Sequence, residues 1–286
     1  MVLESLRVRT IAGSLHLAVS VLIASCAGAL IFLGWYPGVL SVAQGVNQLV
    51  LIMISVDVVI GPLVTFLVYV PGKRGLAFDL AIIAMLQTLA LLYGMRAIHD
   101  GRPAYIVYNI DRFDVIAVKE ISPISLSRAG PKWAPQWLGA RWVAACLPAD
   151  ANATSDVLFD GYDLPQLPEY FVPLEDVRAT MIEHLHPLDE LRKINERDPA
   201  FWSDLFAELG RSESELGYLP MKGNASDGAV LLDRVSGEVL GVRMLTPSFA
   251  PARKQGRATP IEVAPGAPED IQPATSPMAL QTAPVG

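Results

Sequence analysis

Three stretches near the start of the chain stay apolar far longer than the helix of a soluble protein would. Leu15 to Tyr36, Gln48 to Val70 and Leu76 to Ile98 can each cross a bilayer: a helix rises 1.5 Å per residue, and a hydrocarbon core of about 30 Å needs about 20 apolar residues. Between Arg9 and Asp57 there is no Asp, Glu, Lys or Arg. The pattern predicts a bundle of three transmembrane helices over residues 1–99.

After Ile98 the pattern shortens. Gly101-Arg102-Pro103 breaks the third helix, and β-branched and aromatic runs at 104–109 and 113–118 predict two strands around Ile110-Asp111-Arg112, with a third at 140–147. Prolines make 156–173 irregular. Helices follow over 174–185, 187–197 and 200–209, the last opened by Asp198 as N-cap with Pro199 in the first helical position. The runs 229–233 and 238–242 flank Ser236-Gly237 and predict a hairpin. Strands at both ends with helices between predict an α+β domain over 100–245. From Thr246 to Gly286 proline, alanine and threonine alternate without apolar periodicity, which predicts a disordered tail.

Composition sharpens the division. Hydrophobic residues make up 52% of the 286 positions and mean hydropathy is +0.38, yet the second part holds nearly all the charge. Between Asp100 and Arg243 stand 23 acidic and 14 basic residues, a balance that argues against gripping nucleic acid or an anionic lipid surface and points to protein partners. Short loops rich in Lys and Arg stay cytoplasmic. Arg7 and Arg9 precede span one, the loop Pro37–Asn47 is uncharged, and Lys73 and Arg74 lie between spans two and three. In a bacterial chain this sets the N-terminus in the cytoplasm and the α+β domain in the periplasm. Arg7, Arg9 and the run to Cys26 also resemble a lipoprotein signal, but Ala27 to Tyr36 stays apolar beyond the cut, which favours an uncleaved anchor. Cys26 and Cys146 are too far apart in depth to pair.

Asp57 is the most costly residue of the bundle, since a charge at mid-bilayer costs about 2.5–3.5 kcal/mol on insertion scales. Pro62 kinks the same span and frees a carbonyl one turn from the acid. Ser25, Gln87 and Thr88 are the polar groups at that depth. Either Asp57 bonds Gln87 and locks the three helices, or the pair forms a polar socket for another membrane helix. A protease-like dyad with Asp79 is excluded, because Asp79 sits in the first turn of span three beside Lys73 and Arg74, about 15 Å away in height. Ser20, Ala24 and Gly28 form a small-residue stripe on span one, joined by Ala90 and Gly94 on span three, of the kind that lets helices approach closely.

Catalytic signatures are scarce. The chain has no phosphate-cradling glycine loop and no Gly-x-Ser-x-Gly elbow. In Glu183-His184-Leu185-His186 the two histidines point to different helix faces, so no metal or other cofactor is expected. Asn152-Ala153-Thr154 is formally a glycosylation sequon.

The motifs His16-Leu17-Ala18-Val19-Ser20, Gly34-Trp35-Tyr36-Pro37, Val56-Asp57-Val58-Val59-Ile60-Gly61-Pro62-Leu63, Phe78-Asp79-Leu80-Ala81, Gly101-Arg102-Pro103-Ala104-Tyr105 and Asn109-Ile110-Asp111-Arg112-Phe113-Asp114, in that order, resemble the TfpX/TfpZ family of type IV pilin accessory proteins. The resemblance spans about residues 7–245 and leaves out the tail. It implies an inner-membrane protein that assists pilin production or pilus assembly, with a type IV pilin as partner and no catalytic residues to carry over. A bundle that docks the pilin helix and a domain that meets its head would serve that role without covalent chemistry. The competing classes are a membrane-anchored periplasmic sensor or ligand-binding protein, and a pilin-modifying enzyme, which a cleft of convergent titratable groups would favour. The sequence leaves the oligomeric state open.

Overall fold

The protein is described by a computed structural model, which covers residues 2–147 and 161–249. The sequon and most of the tail expected to be disordered lie outside the described residues. Three helices are long and apolar enough to span a membrane: Leu3–Trp35, Val46–Val68 and Leu76–Asp100. The first is α1 (Val2–Ala29), continued by a π-helical turn, Leu30–Trp35; it begins well before Leu15, because helical geometry persists through the polar first turns. The second comprises α3 (Val46–Ser55), a π-helical segment Val56–Ile60, and α4 (Gly61–Val68). The third is α5 (Leu76–Asp100). Its first turn carries Asp79, paired with Lys73 at 2.6 Å, an acid favoured by the helix dipole.

The spans stand in a row. Span two packs along both neighbours, while spans one and three meet at their domain-side ends, where Trp35 lies against His99 and Ile98. On α5 a seam through Leu80, Ile83, Gln87, Leu91, Gly94 and Ile98 is covered, together with Met95, His99 and Asp100 at the domain end. Much of the rest, including Leu86, Leu89 and Tyr93, is exposed.

Only Gly101 and Arg102 separate α5 from β1 (Pro103–Asn109). A two-residue turn leads into β2 (Arg112–Ala117), with Ile110 at φ 61°, a conformation rare for a β-branched residue. Next come α6 (Pro123–Ala129), β3 (Arg141–Ala145), β4 (Phe171–Val172), α7 (Arg178–Glu183), β5 (His186–Pro187), α8 (Leu188–Ile194) and α9 (Pro199–Leu209). Three strands close the domain, β6 (Leu216–Lys222), β7 (Gly228–Asp233) and β8 (Val239–Arg243). The mixed sheet runs β4-β3-β1-β2-β6-β7-β8, with β5 also on β6; β1 pairs with β3, and β2 with β6, in parallel. This is the α+β class expected.

The sequence pattern gave no strand for β6, because Gly217 and Pro220 both disfavour one. The structure tolerates Pro220 because β5 pairs with residues 217–218 and β2 with 221–222. The proline falls in the gap, where its missing N–H leaves no ladder bond unmade. β6 and β7 are buried along almost their whole length because both faces of the sheet are covered. One face, with Ile106, Tyr108, Val115, Leu219 and Val230, packs under α7. The opposite face packs under Trp133 and Phe171 at the β1 end, and under α8 and α9 at the β6–β7 end.

The loop between spans one and two supplies an unexpected part of that core. It forms α2 (Leu40–Ala43), and Leu40 and Ala43 are buried in the cluster beneath the sheet. Ala225 and Ser226 donate backbone N–H groups to the Ala43 carbonyl at 2.8 and 3.2 Å, and Gln44 Nε2 donates to the Val115 carbonyl at 3.2 Å. The absence of charge between Pro37 and Asn47 thus reflects burial in the domain.

Candidate functional site

Three places gather polar or aromatic groups in functional settings. The first is the polar layer of the bundle. Asp57 lies in the π-helical segment, 8% exposed, and its Oδ1 has no hydrogen-bond partner. Gln87 does reach this residue, but its Nε2 donates to the Asp57 backbone carbonyl at 3.3 Å, so the link between spans two and three runs through the main chain. Pro62 is the second residue of α4, two past the end of the π-helical segment. Its missing N–H adjoins the register change, in which the Gly61 N–H bonds the carbonyl of Val56, five residues back. Gln87 fits because Gly61 lacks a side chain: a Cβ there would collide with the Gln87 amide.

Between spans one and two, His16 Nδ1 lies 2.6 Å from Thr65 Oγ1 and Ser20 is buried. Ala24 and Gly28 are half-buried, but a Cβ on Gly28 would meet nothing within 4 Å. Span one comes close to span two at Gly13, beside the Pro62 carbonyl and Phe66, a position the stripe did not include. Gly94 meets Met53 in the same way on span three. Thr88 and Ser25 instead bond carbonyls of their own helices, Ala84 at 2.8 Å and Val21 at 2.7 Å.

The second place is the joint between bundle and domain. Ile31, Trp35, Tyr36, Val46, Val50, Met53 and Ile98 form one apolar cluster. Tyr36 donates its hydroxyl to the Ile98 carbonyl at 2.8 Å. Arg102 is buried and bonds the His99 carbonyl at 2.9 Å; burial holds its pKa below the usual guanidinium value, against the pull of Asp100 and Tyr36. The loop after α6 closes on span one, with the Gly139 N–H on the Gly34 carbonyl at 2.8 Å.

The third is an open groove of about 380 Å³ beside the β1–β2 turn, lined in part by Asn109, Arg112, Asp114, Glu120, Lys222 and Asn224. It gathers titratable groups as an enzyme would need, but Asp114 and Glu120 act as braces. Asp114 accepts from Arg112 Nε and Asn109 Nδ2, both at 3.2 Å. Glu120 accepts from the Ala117 N–H and from Asn224 Nδ2, both at 2.8 Å. Neither His, Cys nor Ser is among its described lining residues. Elsewhere, His184 Nδ1 faces the Thr180 carbonyl at 2.8 Å and His186 lies against the Tyr218 ring. Burial pushes the Cys146 thiol up to about 11, where little of the reactive thiolate forms at neutral pH.

Fold and site together define a three-span membrane protein whose soluble α+β domain is built onto the first interhelical loop. A family model described as "Fimbrial assembly protein FimB" matches residues 4–38. The "Fimbrial assembly protein, serogroup I" of Dichelobacter nodosus is 26% identical over 228 residues, covering 77% of this chain and 89% of that protein. The "Fimbrial assembly protein, serogroups C1 and C2" of the same organism is 31% identical over 109 residues, covering 37% of this chain and 83% of that protein. The chain belongs to the family of fimbrial assembly proteins. No solved structure matches.

Proposed function

We propose that this protein assists type IV pilus assembly from the inner membrane, in the manner the TfpX/TfpZ resemblance implies, by holding a pilin subunit without covalent chemistry. The N-terminus and the Lys73–Arg74 loop lie in the cytoplasm and the α+β domain in the periplasm. Asp57, Pro62 and Gln87, with Ser20, Ala24 and Gly28, lock the bundle, and docking falls to the outer flank of span three.

The observation that carries this reading is that flank. Ala77, Ala81, Ala84 and Thr88 are exposed and recur at helical spacing, so a second helix can approach the α5 backbone closely. In lipid this matters more than apolarity, since tails are as apolar as any side chain and association rests on packing. The acidic domain, which follows the far end of α5, can meet the pilin head, where charge complementarity sets partner choice.

Deleting the gene should lower surface pili while pilin transcript stays unchanged. A photocrosslinkable residue at Met85, beside the small flank, should trap pilin in the membrane, and Ala81→Leu should abolish the adduct. Normal piliation in the deletion strain, with no pilin adduct at Met85, would sink the accessory role.

A further inference from the structure

We infer that the loop joining α6 to β3 is a second membrane contact, with Trp137 and Leu138 inserted into the interfacial region of the leaflet on the domain side. Trp137 is 58% exposed and Leu138 49% exposed, two adjacent large apolar groups in one loop. Their height is fixed by span one. The Gly139 N–H bonds the Gly34 carbonyl at 2.8 Å, and a Cβ on Gly34 would stand 2.8 Å from Leu138 Cδ2. Trp137 also meets Trp35 edge-on, with centroids 6.2 Å apart. Gly34 and Trp35 are the last two residues of the membrane-crossing helix, so whatever touches them laterally sits at the boundary between acyl chains and headgroups.

That boundary is where tryptophan is enriched, because its ring is apolar and its indole N–H can bond headgroup or water. Leu33, in the same helical turn, is 80% exposed and extends the apolar surface toward the acyl chains. The loop is held from behind. Trp133 is buried, with the Lys132 ammonium and the Arg141 guanidinium each 4.7 Å from its ring. Arg141 Nη1 donates to the Lys132 carbonyl at 2.5 Å. The segment is therefore a braced wedge, presented at membrane height by a span already in the bilayer. The domain's net negative charge offers anionic headgroups no attraction, so the contact is with the apolar interface of the lipid itself.

The full-length protein in phosphatidylcholine nanodiscs tests this. Bimane is attached to Leu138→Cys in a Cys26→Ala background, Cys146 being buried; Val235→Cys, on a residue 85% exposed at the β7–β8 turn, serves as the solvent-facing control. The label at 138 should emit to the blue of the control, be quenched by lipids with brominated acyl chains, and resist iodide. Comparing the native chain with Trp137→Phe, the native chain should lose the larger share of its tryptophan emission to brominated lipid. A label at 138 as open to iodide as the control would overturn the inference. So would a label shielded from both quenchers, which would mean that protein covers the patch.

Discussion

Asp233 shows how far one side chain holds the end of the sheet. Its Oδ1 accepts the backbone N–H groups of Val235 and Ser236 at 2.9 and 2.8 Å, and Oδ2 pairs with Arg211 at 3.0 Å. These bonds, the Ser236 amide first, lower its pKa to about 2. A depressed carboxyl stabilises the fold above its unfolded pKa of about 3.9 and loses that contribution as pH falls toward 2. Thermal stability in detergent should therefore drop between pH 4 and 2, and less so in Asp233→Asn, which at neutral pH should cost about 2 kcal/mol as a charged hydrogen-bond acceptor is lost. Equal acid sensitivity of the two proteins would show that other carboxyls dominate. Local devices of this kind were legible in the sequence where they involve neighbours. Asp198 accepts the Ala200 N–H at 2.8 Å as an N-cap should, and Asp79 finds Lys73. The Gln87 bond was legible only as a matter of depth, since level does not tell side chain from main chain.

At the scale of elements, the spans, the β1–β2 and β7–β8 hairpins and α9 could be read because each follows from a period within one segment. What escaped was β6, where tertiary pairing overrides Gly217 and Pro220, and the short α6, whose seven residues (Pro123–Ala129) carry little periodicity. Helix packing was legible as a principle but only partly in its positions: the close approaches are at Gly13, Gly61 and Gly94, each facing a specific residue on a neighbouring span. Gly61 and Gln87 form one such unit. Gly61→Ala should push the amide out and break its bond to the Asp57 carbonyl, and Gln87→Ala should remove the same bond, each at about 0.6–1 kcal/mol. The double variant should then cost less than the two single losses combined. Strict additivity in steric-trap unfolding would show that notch and amide act separately.

For the molecule as a whole, the sequence suggested a membrane part and a soluble part joined by a short break, and the structure joins them more deeply. Because Leu40 and Ala43 belong to the core under the sheet, residues 100–249 expressed alone should bind hydrophobic dye and melt well below the domain in the full protein. Adding a peptide of residues 37–47 should restore part of the loss. A fragment that unfolds cooperatively at the temperature of the intact domain would show that α2 is ornamental. No period inside residues 37–47 announced this, since a buried four-residue helix and a free apolar turn have the same composition.

The α2 insertion also has a mechanical consequence. The domain is mounted at separate points: through α2, through the two-residue link after α5, and through the Gly139–Gly34 bond. Each attachment opposes rotation of the domain about the others, so a subunit rising from the membrane beside span three would meet a domain held by more than its covalent link.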